Sequence, residues 1–155
     1  MKNVFLSDYI SNKYINIILN YNYAGIHGIA ETIGWQIELF RLNQNSLVEA
    51  ISFNEIFNND LFIDISNNIL KEINFPIKIN DDLEKIKKVF GNETSKDSIF
   101  YEEYKVNVIR YNYYIAKDYF ITFSVSNNKL IGLELIYNKD IINNILPYRC
   151  SKNKL

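Results

Sequence analysis

Apolar and polar residues alternate most regularly between Ile109 and Tyr137, and this alternation predicts three consecutive antiparallel strands. Ile109, Tyr111, Tyr113 and Ile115 share one face of the first; Tyr119, Ile121, Phe123 and Val125 share that of the second; Ile131, Leu133, Leu135 and Tyr137 share that of the third. Residues opposed across a hairpin must lie on one side of the sheet, so the pattern also sets loop lengths. Three-residue loops, Ala116-Lys117-Asp118 and Asn127-Asn128-Lys129, would place Ile115 against Tyr119, Val125 against Ile131, Phe123 against Leu133 and Ile121 against Leu135. A two-residue Asn127-Asn128 turn would mix the faces. The reverse face, with Thr122, Ser124, Gly132 and Glu134, is expected to be wetter, with Phe120, Leu130 and Ile136 covered at its ends.

Upstream the period becomes helical. Asp81 with Glu84 forms a capping box ahead of Leu83, Ile86, Val89 and Phe90, and Gly91 supplies a left-handed stop, so a helix is predicted over Asp81–Phe90. A polar loop, Asn92–Ser98, follows it. Asp60 caps a second helix whose Phe62, Ile65, Ile69 and Ile73 share a face and which Phe75-Pro76 ends. Ser52 and Glu55 offer a capping box for a short turn.

Leu6, Ile10, Tyr14, Ile17, Ile18 and Tyr21 recur at helical spacing, predicting a helix over Leu6–Tyr21, with a strand over Tyr14–Leu19 as the alternative. Ala24–Gly28 reads as a flexible loop. Ile33–Phe40 and Leu47–Phe53 read as a hairpin about the turn Asn43–Ser46. Ile141, Ile142, Ile145 and Leu146 suggest a closing helical turn that Pro147 ends, followed by a frayed Cys150–Leu155. The fold class is therefore α+β: a mainly antiparallel sheet, built from the C-terminal meander and an N-terminal hairpin, packed with three or four helices.

The 155 residues, 48% of them apolar, fit one domain spanning 1–155 with a core that needs no staples. A single cysteine, Cys150, precludes an internal disulfide. No stretch approaches the roughly 18 apolar residues of a membrane span, and no secretory signal pattern opens the chain. A cytoplasmic protein is expected. Net charge is −1, but residues 1–75 hold four basic and eight acidic side chains, against thirteen and ten in 76–155. An acidic partner-binding surface in the first half is one consequence.

Catalytic inventory is thin. The only histidine, His27, lies between glycines with no second histidine or nearby cysteine, which excludes the usual zinc set and leaves no cysteine–histidine dyad. No phosphate-binding glycine loop or nucleophile elbow occurs. Asp81-Asp82 is explained by helix capping, and Glu102-Glu103 would face opposite ways in a strand. Arg110, Tyr111, Tyr113, Tyr114 and Lys117 superficially suit a stacking surface for single strands, but Tyr111 and Tyr113 fall on the core face. No cofactor, metal or nucleic acid is expected.

Pro76-Ile77-Lys78-Ile79, the helix Asp81–Phe90 closing in Gly91, and tyrosine-rich strands with Asn-Asn at a hairpin together resemble small bacterial immunity proteins of contact-dependent growth inhibition systems. The Gly25-Ile26-His27-Gly28 stretch followed by Gly34-Trp35 adds to the likeness. The resemblance implies a non-enzymatic protein that binds a cognate toxin domain, a nuclease in the usual case, and covers its working surface. Nucleases present positive charge, so Glu31, Glu38, Glu49, Glu55, Glu102 and Glu103, with Tyr101 and Tyr104, are the candidate partner-binding residues. An envelope adaptor is disfavoured by the missing signal. The alternative of another class is a small-molecule-binding or enzymatic α+β domain with a pocket between sheet and helices.

Overall fold

The computed structural model describes residues 3–57 and 59–150. Its elements are strands β1 (Asn16–Tyr23), β2 (Ile26–Ile33), β3 (Ile37–Arg41) and β4 (Val48–Phe53), helices α1 (Asp60–Glu72) and α2 (Leu83–Phe90), strands β5 (Ser95–Tyr101), β6 (Val106–Ala116), β7 (Tyr119–Ser126) and β8 (Lys129–Ile136), and helix α3 (Lys139–Arg149). The strands form one eight-stranded antiparallel sheet in the order β1-β2-β3-β4-β8-β7-β6-β5. Two four-stranded meanders thus join at β4 and β8, with α1 and α2 in the connection between them. The α+β class stands, with three helices and more sheet than the alternation suggested.

One face of the sheet carries two long apolar rows. Ile33, Ile37, Phe53, Leu133, Phe123 and Tyr111 pair across successive strands, and Leu39, Ile51, Leu135, Ile121 and Tyr113 form the neighbouring row. α1, α2, the N-terminal segment and Ile77 and Ile79 cover both rows. α3 covers the opposite face through Ile141, Ile142 and Ile145, which pack on Phe40, Ala50, Phe120 and Ile136.

The C-terminal meander keeps most of its expected register but not its loops. Phe123 does oppose Leu133 and Ile121 opposes Leu135. The connection is nevertheless a two-residue turn, with Asn127 and Asn128 both left-handed at φ 49° and 65°, and a bulge between Ser124 and Val125 sets Val125 against Leu130. One extra residue in the bulge returns the faces to phase, as a longer loop would have done. Likewise Ala116 rather than Ile115 pairs with Tyr119, Lys117-Asp118 is the turn, and a shift after Tyr114 leaves Ile115 exposed.

Both connecting helices form as expected, with caps shifted by one residue. Asn59 caps α1 by accepting from the Phe62 amide at 3.2 Å, and Asp82 caps α2 by accepting from Lys85 at 2.9 Å. Asp81 instead accepts from the Lys78 amide, at 2.8 Å. α1 closes before Pro76, with Asn74 left-handed at φ 57°, Phe75 donating to the Leu70 carbonyl and Asn74 to that of Lys71. Gly91, at φ 74°, ends α2.

Several local expectations are corrected. Leu6–Tyr21 is not a helix: two short 3-10 turns, Leu6–Asp8 and Asn12–Tyr14, lead into β1, so the alternative of a strand over Tyr14–Leu19 is the one realised from Asn16 onward, because pairing with β2 supplies backbone partners that an asparagine-rich helix would hold weakly. Ile26-His27-Gly28 is not a loop but the start of β2. Ile33–Phe40 is broken at Gly34-Trp35-Gln36, where Gly34 takes φ 55° and a turn leaves Trp35 exposed. The loop expected over Asn92–Ser98 gives way at Ser95 to strand β5, and Ser52–Glu55 forms no helical turn because Ser52 lies inside β4. α3 runs through Pro147 to Arg149; so late in the helix the proline costs one hydrogen bond. Of the expected frayed end Cys150–Leu155, Cys150 is instead held, its amide donating to the Leu146 carbonyl at 2.8 Å and its Sγ 3.2 Å from Ser95 Oγ, and Ser151–Leu155 lie outside the described residues. Among the described residues, no helix is long and apolar enough to cross a membrane.

A methyl group at Gly28 would sit 2.2 Å from the Arg41 carbonyl and 2.7 Å from the Phe40 ring. Gly28→Ala is therefore expected to destabilise the fold by about 1–3 kcal/mol, read as a lower urea midpoint with the slope unchanged.

Candidate functional site

On the face beneath α3, strand pairing aligns polar residues in a single row: Glu38 opposite Ser52, Ser52 opposite Glu134, then Thr122, Asn112 and Ser95 on β7, β6 and β5. Each strand contributes the residue next to its apolar contact with α3, so the row follows directly from the alternating period. It is buried rather than wet: Ser52, Thr122, Ser124, Asn112 and Ser95 are all enclosed. Polar groups so placed require partners.

Arg149 at the end of α3 supplies most of them. Its Nη1 donates to Glu134 Oε1 at 2.8 Å and to Thr122 Oγ1 at 2.9 Å. Its carbonyl, free at the helix terminus, accepts from Ser95 Oγ at 2.6 Å and Asn112 Nδ2 at 3.4 Å. Thr122 Oγ1 donates to Asn112 Oδ1 at 2.7 Å. At the β4 end, the buried Tyr23 hydroxyl donates to Glu134 Oε2, leaving Ser52 Oγ, 2.9 Å away, to donate to Tyr23. Burial works against the Arg149 charge, but Glu134 outweighs it and holds the guanidinium pKa above its ordinary value. Burial, and then Glu134, push the Tyr23 hydroxyl well up, so it stays a donor.

Glu38, opposite Thr32 of β2, is placed differently. Its Oε1 is enclosed and lacks a hydrogen-bond partner, while the Tyr21 hydroxyl bonds to its carboxylate. Burial is the main cause raising its pKa; Tyr21 opposes that shift and Glu134 adds to it. Beside it opens a cleft of about 280 Å³ whose walls include Tyr21, Tyr23, Ser52, Asn54, Glu134 and Arg149. A smaller polar hollow continues past Asn54 toward Arg110, which is held by Asp97 at 3.2 and 2.5 Å.

A second feature lies at the sheet margin. β1 is an edge strand, and Ile17, Ile18 and Leu19 are 64%, 40% and 62% exposed. An apolar groove of about 470 Å³ runs beside it on the other face, lined by Phe5, Ile15, Ile17 and Ile29 and floored by the Glu31–Arg41 pair. The opposite edge, β5, carries Lys96 and Asp97; β1 carries no charge along its length.

The candidate partner-binding residues are dispersed over these features. Glu31 accepts from Arg41 at 2.7 Å and from the Leu6 amide at 3.2 Å beneath the N-terminal segment. Glu38 lies on the reverse face, in the polar row. Glu49 is half-buried and near Asn138, whose Nδ2 is 3.5 Å away. Glu55 bonds with the Tyr101 hydroxyl, and Tyr104 packs on Phe57 with ring centroids 5.0 Å apart, so Glu55, Tyr101 and Tyr104 gather at one end of the sheet. Glu102 and Glu103 occupy the turn between β5 and β6 beside them, rather than a strand. Tyr23, Glu134 and Arg149 were missed because their roles depend on strands far apart in sequence; the signal present was a polar residue in every meander strand at the same register.

No family model matches the chain, and no curated protein matches it. Among solved structures the fold resembles an extracellular protein containing a SCP domain from Bacillus anthracis str. Ames, with 11% identity and a TM-score of 0.41. The match covers 90% of this chain and 41% of that one, so this chain spans about two-fifths of that protein's length.

The raised Glu38 pKa makes its charge a cost to the folded state. That cost is fully present above the folded pKa and vanishes as pH falls below the unfolded carboxyl value, about 4.3. Glu38→Gln is expected to match or exceed the parent protein in urea stability at neutral pH and to lose that advantage in acid. A variant less stable than the parent at neutral pH would contradict the assignment.

Proposed function

We propose that this protein binds and neutralises a cognate toxin domain stoichiometrically, in the manner of an immunity protein, and that the partner docks along β1. The observation that carries the binding mode is the unguarded β1 edge. Exposed edge strands offer a row of unpaired amides and carbonyls, and proteins blunt them with charge, proline or cover. β5 has charges; β1 presents isoleucine and leucine instead. Exposure of Ile17 on one face and Ile18 on the other leaves β1 uncovered on both sides, which suits an added partner strand whose side chains settle alternately over the two faces.

β1 also lies in the half of the chain with eight acidic and four basic side chains, a sign that favours a basic partner such as a nuclease. The immunity assignment itself rests on the sequence resemblance. The polar cleft beside Glu38 favours a second reading, a small-molecule-binding α+β domain.

If the neighbouring gene encodes a large secreted protein with a toxin domain at its carboxyl terminus, cells producing that domain are expected to survive when the protein is co-expressed, and the two should copurify. Ile17→Lys combined with Leu19→Lys should abolish rescue while changing stability by no more than about 0.5 kcal/mol. Undiminished rescue by that variant would remove β1 from the interface. Glu102→Lys with Glu103→Lys tests the other end of the sheet: loss of rescue there alone would move the interface to the β5–β6 turn.

A further inference from the structure

The exposed part of β1 is chemically palindromic about Ile18. Asn16-Ile17-Ile18-Leu19-Asn20 runs polar, apolar, apolar, apolar, polar in either direction, and it bears no charge. If β1 pairs antiparallel with the β1 of a second copy, a twofold axis through Ile18 sets Ile18 against Ile18, Ile17 against Leu19 and Asn16 against Asn20. Each pair then matches in kind: aliphatic side chains meet aliphatic ones, and asparagine amides both donate and accept. The stretch is also free to pair. Ile17, Ile18 and Leu19 stand exposed, and among the described residues no main-chain hydrogen bond outside the ladder with β2 reaches Asn16–Asn20. Pairing with β2 is regular from Asn16 to Ile18, and the bulge falls between Ile18 and Tyr21. About the twofold axis the two bulges therefore lie at opposite outer ends of the shared ladder, which they keep short.

We infer that β1 is a contact between two copies of this chain, joining their sheets edge to edge about Ile18. An isologous contact needs one patch that complements itself, and the self-matching of these five residues selects a second copy over an unrelated strand. A charge in the strand would be repeated across the axis and placed near its own image; β1 has none. Besides the ladder, the contact covers aliphatic surface on both faces. Ile17, and Leu19 two residues on, lie on the side of the apolar groove, and Ile18 on the other. Backbone groups and side chains that the single chain leaves open at this edge are thus satisfied together. The inference rests on the open edge and not on the toxin reading, although a toxin strand on β1 would have to displace the second copy. A dimer without rescue would remove the toxin and keep this contact; rescue by a chain that stays monomeric would do the reverse.

Sedimentation equilibrium of the parent chain is expected to show the mass rising from one chain toward two between about 5 and 500 µM, the weak range expected for so short a ladder. Ile17→Lys with Leu19→Lys sets like charges opposite one another and should raise the dissociation constant at least about tenfold, with the urea midpoint reporting that the fold is intact. Cross-linking reads the same contact without charge. In a Cys150→Ser background, Ile18→Cys should form an intermolecular disulfide on mild oxidation, because Cα atoms opposed in an antiparallel pair lie about 4.5–5.5 Å apart, within disulfide reach. A mixture of Ile17→Cys and Leu19→Cys chains should link faster than either alone, and Ile115→Cys, exposed on β6, should not link. A monomer throughout the concentration range, or a dimer unchanged by the lysines, overturns the inference. So does linking at Ile18→Cys no faster than at Ile115→Cys, or Ile17→Cys linking to itself faster than to Leu19→Cys.

Discussion

The contact between Arg149 and the polar row is the constraint on which one whole face of the sheet depends. Six strands place a polar side chain at the same level beneath α3, and water does not reach most of them. A row of that kind is tolerable only if its hydrogen bonds are made internally. One residue provides both kinds of group needed: its guanidinium donates to Glu134 and Thr122, and its main-chain carbonyl accepts from Ser95 and Asn112. The same contact explains why α3 continues past Pro147. Stopping the helix there would withdraw the guanidinium and leave Glu134 without its counter-charge.

The two faces are consequently built on different principles. Beneath α1 and α2 the rows are aliphatic and aromatic, with Phe90 and Phe123 each against both Phe75 and Tyr113, and one hydrogen bond, from the Tyr113 hydroxyl to the Gly91 carbonyl at 2.9 Å, ties them to the end of α2. Beneath α3 an apolar row seats the helix and a polar row locks its end. Apolar contacts without direction tolerate repacking, whereas a hydrogen-bonded row fixes position. The face that is costlier to build is also the one that borders a polar cleft, walled by Tyr21, Ser52, Glu134 and Arg149. The margin of the sheet offers something else, an edge strand whose backbone groups and aliphatic side chains have no cover.

Much of this was legible residue by residue. The capped helices, the left-handed stop at Gly91, and the pairing of Phe123 with Leu133 and Ile121 with Leu135 follow from local chemistry and a period of two. The hairpins were legible except for the bulges, since a bulge and a longer loop correct the phase equally well and composition does not choose between them. β5 was illegible because Ser95, Lys96, Asp97 and Ser98 have the composition of a loop; only a free edge on β6 made them a strand. The dispersal of Glu31, Glu38, Glu49 and Glu55 was equally hidden, because an acidic excess in a stretch of chain does not say which faces its residues occupy.

By itself the sequence determined the α+β class, the two connecting helices with their ends, and the antiparallel C-terminal meander, because these rest on side-chain period, capping and turn chemistry within a few residues. The tertiary structure alone decided that Asn16–Tyr23 is an edge strand and not a helix, that the polar face is buried, and that Glu38, Tyr23, Glu134 and Arg149 meet. Those outcomes depend on which distant strands pair and on what packs over them. Such choices are made by the free energy of the whole sheet and its cover, and no local pattern records them.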